Sequence, residues 1–120
     1  MTRIIVCGCR DFNDQSKIYN TLDEILTSYS DIEIISGHAK GVDTIAEHYA
    51  REHNYPCRIF PADWNKYGKK AGPIRNSQML KHALLETPIV IAFWNGKSKG
   101  THNMINQAKE KNVQTYIEYI

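Results

Sequence analysis

Five short apolar runs punctuate the chain: Ile4-Ile5-Val6-Cys7, Ile32-Glu33-Ile34-Ile35, Cys57-Arg58-Ile59-Phe60, Ile89-Val90-Ile91-Ala92-Phe93 and Val113-Gln114-Thr115-Tyr116-Ile117. All are rich in β-branched or aromatic residues and are predicted strands. Between them apolar residues recur at three- and four-residue steps, the spacing of a helix with one buried stripe. Ile18, Leu22, Ile25, Leu26 and Tyr29 form the first stripe, and Val42, Ile45, Ala46, Tyr49 and Ala50 the second. The third predicted helix starts at Gly72-Pro73, with proline at its first position and Leu80, Ala83 and Leu84 as its stripe. Met104, Ile105 and Ala108 mark the fourth. Asn54 and Asn112 fall just past the second and fourth helices, where a left-handed cap residue is favoured.

Strict alternation of strand and helix predicts a parallel sheet with helices on both faces, a Rossmann-like three-layer α/β sandwich. The first and fourth runs are apolar throughout, as strands covered on both sides must be. The third and fifth carry Arg58 and Gln114 and suit sheet edges. Strand order 3-2-1-4-5 satisfies this polarity and puts the topological switch between the first and fourth strands.

With 120 residues and no low-complexity tract, the chain is expected to form one domain over 1–120. A net charge of +2 does not announce a nucleic-acid binder, so any basic patch is local. Three cysteines, too few to staple a chain of this size, point to a reducing compartment, and a cytoplasmic location is expected. Cys7 and Cys57 are expected in the core, and no cysteine or histidine spacing suggests a metal or a nucleophile. The longest apolar run, Ile89 to Trp94, is too short to cross a bilayer. No cofactor is expected, and a homo-oligomer is compatible with the sequence.

In such a sheet ligands bind beyond the carboxyl ends of the strands, and four loops of unusual chemistry lie there. They are Gly8-Cys9-Arg10-Asp11, Ser36-Gly37-His38-Ala39-Lys40-Gly41-Val42-Asp43, residues 61–76, and Trp94-Asn95-Gly96-Lys97-Ser98-Lys99-Gly100-Thr101. Glycines before a helix let a bound group approach backbone N–H groups that lack partners, in the positive field of the helix start. Gly37 and Gly41 before the second helix, and Gly96 and Gly100 before the fourth, therefore predict two anion sites, with Lys40, Lys97 and Lys99 adding charge. The alternative for each pair is a tight turn without a ligand. Asp43 would fix the glycine loop or meet a ribose hydroxyl, and Thr101 would bond a phosphate; both residues also suit a helix start with no ligand. The loop of residues 61–76 is longer than such connections usually are, which suggests binding. Trp64 and Tyr67 are candidates for stacking on a base, or Trp64 for filling core space. Arg75 and Asn76, on the first turn of the third helix, are expected to contact the ligand, whereas Lys66, Lys69 and Lys70 are read as solvated.

Together these loops resemble the SLOG superfamily, the Rossmann-like group that includes the LOG phosphoribohydrolases and the DNA-processing protein DprA/Smf. They are most similar to its small stand-alone YspA or cpYpsA-related branch, whose pattern is G-S-R, G-G-A-R-G-A-D, A-D-W-x-x-Y-G-x-x-A-G-P-x-R-N, then G-G-x-G-T. Residues 62–76, ADWNKYGKKAGPIRN, follow the third element closely. The resemblance implies the 3-2-1-4-5 sheet and binding of nucleotides, nucleotide-derived signals or nucleic acid, including roles in bacterial and phage conflict. It also implies ligand loops at Gly8 to Arg10, Gly37 to Asp43, Arg75-Asn76, and Gly96 with Gly100-Thr101. Cys9 stands where the branch has serine, His38 where it has glycine, and Lys40 where it has arginine. The phosphoribohydrolases follow their Gly-Thr with catalytic glutamates, whereas His102-Asn103-Met104 follow here. The expectation is therefore a nucleotide-derived ligand that is bound or sensed. The alternatives are a phosphoribohydrolase-like enzyme with Asp43, Asp63 or Asp11 in place of the glutamate, and a single-stranded nucleic-acid binder using residues 66–75.

Overall fold

The structure is a computed structural model describing residues 1–120. Strands β1 (Thr2–Gly8), β2 (Ile32–Ser36), β3 (Cys57–Ile59), β4 (Thr87–Trp94) and β5 (Gln114–Tyr119) form one parallel sheet in the order β3-β2-β1-β4-β5. Helices α1 (Gln15–Leu26) and α2 (Val42–Glu52) cover one face. Helices α4 (Ala71–Ala83) and α5 (Lys99–Glu110) cover the other, and a short helix α3 (Trp64–Tyr67) precedes α4. The fold and strand order are those that strand polarity predicts.

The sheet's two-residue period explains the two cores. Ile4 and Val6 of β1, with Ile34 and Ile91, pack against Ile18, Leu22, Val42 and Tyr49. The alternate residues Ile5 and Cys7, with Ile35, Val90 and Ala92, pack against Met79, Leu80, Met104 and Ile105. Burying each such large side chain stabilises by about 1.5–3 kcal/mol, so β1 is clamped from both sides. Asn54 and Asn112 adopt φ of 57° just past α2 and α5, the left-handed conformation expected of them.

Other expectations are corrected. Helix α4 begins at Ala71, directly after a 3-10 turn at Gly68–Lys70, so Pro73 is its third residue rather than its first. Arg75 and Asn76 consequently sit on its second turn. Met79 is buried where Leu84 was expected, because Leu84 caps the helix end and is exposed. Cys57 is exposed, since β3 is a three-residue edge strand with no helix packed over that position. The segment 61–76 is mostly helical rather than a long open loop.

The register aligns Gly8 with Phe93, so β1 and β4 end side by side. Their chains leave toward opposite faces, and a crevice opens between them.

Candidate ligand-binding cleft

That crevice is a cleft of about 690 Å³ between the ends of β1 and β4, the start of α2, the second turn of α4 and the first turn of α5. Of the residues singled out from sequence, it brings together Gly8, Cys9, Arg10, Asp43, Trp64, Arg75, Asn76, Gly100 and Thr101. A side groove of about 420 Å³ adjoins it, shares Arg10, Ala39, Trp64 and Arg75 with it, and holds Gly37, His38 and Lys40. Gly41 and Gly96 line neither.

Arg75 is the centre of the arrangement. Its Nη1 donates to the Gly37 carbonyl at 2.6 Å and its Nε to Asn76 Oδ1 at 3.1 Å. A Cβ at residue 37 would lie 2.6 Å from that Nη1, so glycine there makes room for the guanidinium. Asn76 is buried and donates in turn to the Gly100 carbonyl at 3.2 Å and to Asn103 Oδ1 at 3.0 Å, which ties α4 to the start of α5. Burial lowers the Arg75 pKa, with Asp43 opposing that shift and Arg10 adding to it. Fixed on two sides, the guanidinium keeps its Nη2 donors for a bound group.

The two glycine-bearing helix starts differ in how their loops are held. In the β2–α2 loop three amides are held by the chain itself. The His38 amide donates to Ser36 Oγ at 3.1 Å, the Ala39 amide to Asp43 Oδ2 at 3.2 Å and the Val42 amide to the Cys9 carbonyl at 3.4 Å. Gly41 has φ of 76°, and a Cβ there would lie 2.5 Å from the Cys9 and Arg10 carbonyls; its hydrogen faces the β1 loop, where no ligand fits. At α5 only the third amide is engaged, Thr101 N to Ser98 Oγ at 3.5 Å. The amides of Lys99 and Gly100 have no partner in the chain. Thr101 is buried and its Oγ1 lies 3.1 Å from Ser98 Oγ, so it holds the cap. Gly100 has open space within 4 Å of where a Cβ would stand. Gly96, at φ 79°, forms the preceding turn, in which Asn95 Oδ1 accepts from the amides of Lys97 and Ser98.

The charge of the cleft exceeds that of the whole chain. Arg10, Lys69, Arg75, Lys97 and Lys99 line it against Asp11 and Asp43. Asp43 is 5% exposed, and burial pushes its carboxyl up to about 6 against the pull of the Ala39 amide and Arg75. Asp11 is an exposed rim residue, whereas Asp63 caps α3 by accepting from the Lys66 amide at 3.0 Å and lies outside the cleft. Trp64 is 48% exposed, not core filling, with the Arg10 guanidinium 5.4 Å over its ring. Tyr67 faces away, next to Lys66. Cys9 is buried and its thiol points to the Phe93 carbonyl at 3.8 Å.

Sequence reasoning missed Ser98, Asn95 and Asn103, which build the α5 start, and Ser36 and Glu47, which anchor His38. Ser98, directly before the fourth helix, was a readable N-cap signal. Glu47, four residues after Asp43 on the buried stripe of α2, was a carboxylate placed where an apolar residue is expected.

The sequence model of the YspA, cpYpsA-related SLOG family matches residues 2–67, from β1 through α3. A relative, the Gene 61 protein of Mycobacterium phage D29, is 29% identical over 119 residues, spanning 94% of this chain and 93% of its own.

Proposed function

The chain belongs to the YspA, cpYpsA-related SLOG family, and we propose that it binds a nucleotide or nucleotide-derived ligand with a phosphate seated between the start of α5 and Arg75. One observation carries this reading: two unpartnered amides, Lys99 and Gly100, and a doubly anchored guanidinium share one cleft at the switch point of the sheet. Arg75 binds as a planar fork preset by the Gly37 carbonyl and Asn76, so little side-chain freedom remains to be lost. The Trp64 face on the rim is available to a base. A cytoplasmic setting belongs to the same proposal; no helix is long and apolar enough to cross a membrane.

Thermal melts against nucleoside mono- and diphosphates, cyclic nucleotides, NAD and ADP-ribose test the reading. A ligand at 100 times its Kd stabilises the fold by about 2.7 kcal/mol. Gly100→Val enters open space, so it leaves the unliganded melt unchanged but lowers ligand affinity about tenfold. Absence of any stabilisation, or full affinity in the valine variant, overturns the reading.

A further inference from the structure

The side groove carries chemistry of its own. Arg10, Lys40 and Arg75 line it together with His38, and no acidic side chain does. His38 is held in the left-handed region at φ 60°, a conformation that costs a non-glycine residue free energy and that clusters at functional positions. Its ring is aimed by an anchored carboxylate. Nδ1 lies 3.1 and 3.0 Å from the two Glu47 oxygens, and Glu47 Oε2 also accepts from Ser36 Oγ at 2.7 Å. A carboxylate only accepts, so Nδ1 carries the hydrogen, and in the neutral tautomer this leaves a lone pair at Nε2. Nε2 has no partner in the chain, and the side chain is 56% exposed. The half-exposed Trp64 ring and Arg75 stand between this groove and the main cleft.

We propose that the side groove is a second nucleotide subsite: the ligand is a dinucleotide-type molecule with two riboses, whose outer phosphate meets Arg10 and Lys40 and whose outer ribose hydroxyl donates to His38 Nε2. This rests on the proposed phosphate seat at α5 and extends the ligand past Trp64 into the groove. A phosphate supplies the anion that three basic side chains with no opposing acid favour. A hydroxyl supplies the donor that an acceptor imidazole requires. Glu47 is a positioning residue, since it fixes the tautomer without reaching the ligand.

Titration calorimetry tests this with 5′-phosphorylated homodinucleotides of each base, their 2′-deoxy forms and the matching mononucleotides. At least one ribodinucleotide binds about tenfold tighter than its mononucleotide. Lys40→Ala erases most of that gain and leaves the mononucleotide within about twofold. His38→Ala removes the preference for ribose over deoxyribose. If mononucleotides bind and dinucleotides bind no tighter, the second subsite is wrong and the phosphate seat stands. If Lys40→Ala weakens both ligands alike, the groove is not separate and the inference falls. Should longer oligonucleotides bind tighter still, with steep salt dependence, the groove is part of a strand track instead and the dinucleotide assignment is overturned. If nothing binds, both readings fall together.

Discussion

Strand β2 has a carboxylate–histidine pair at each end, and the two differ in what they leave open. At its start Glu33 Oε1 lies 2.7 Å from His82 Nε2 and 3.2 Å from Arg3 Nε, while Arg3 Nη1 donates to the His82 carbonyl at 2.7 Å. Side-chain exposures of 13–17% show that this cluster is closed on itself. At the other end Glu47 grips His38 with similar geometry, but the His38 ring is 56% exposed and its backbone is strained. The first pair joins α4 to β1 and β2. The second aims a side chain at a groove. Identical residue types are therefore closed off at one end of the strand and open to a groove at the other, and exposure is what separates them.

Four substitutions sharpen this contrast. The largest is Glu33→Ala, which strands Arg3 without its counter-ion. Urea unfolding will show a loss of about 2 kcal/mol, with ligand affinity unchanged because the cleft is at the far end of the sheet. A parallel loss of affinity would break the contrast.

Next comes Asp43, the carboxylate near the open end of β2 that has no imidazole partner. Its folded pKa of about 6 exceeds the ordinary 3.8, so the folded chain holds this proton more tightly than the unfolded one. The resulting stabilisation is present at low pH and is lost as pH rises through about 4 to 6. Asp43→Asn removes that slope, and melts across the window will show the variant gaining on the order of 1 kcal/mol over the parent by neutral pH. An anion in the cleft is also repelled by ionised Asp43, so affinity falls as pH rises through about 6 in the parent and less in the variant.

The smallest effect separates the two histidines themselves. His82→Ala loses the Glu33 contact and the Phe60 ring 5.5 Å away, at a cost of about 1 kcal/mol. His38→Gly relieves the positive φ while giving up one hydrogen bond, and denaturant midpoints will place it within about 0.5 kcal/mol of the parent.

The framework was legible in the sequence because period and polarity report on covering layers: the uniformly apolar runs Ile4–Cys7 and Ile89–Phe93 had to be central. The location of the cleft followed from the same topology. Its inner workings were less legible. Gly37, Gly41, Gly96 and Gly100 look alike in the chain, yet the structure gives them four duties, respectively making room for Arg75, packing on the β1 loop, turning the chain and opening the α5 start. What separates them is the neighbour brought by tertiary contact, which no local pattern encodes. The same holds for Glu47, whose meaning depends on His38 and Ser36 arriving beside it. Pro73 misled because its ring is tolerated anywhere in the first turn, before intrahelical amides are needed.

The tight seat of Gly41 against the Cys9 and Arg10 carbonyls bears on how this scaffold can be altered. Loops sealed to one another cannot be exchanged piecemeal, so the connections after β1 and β2 have to be altered together. Changes of side chain are instead accommodated at residues 65–70, which stand in solvent.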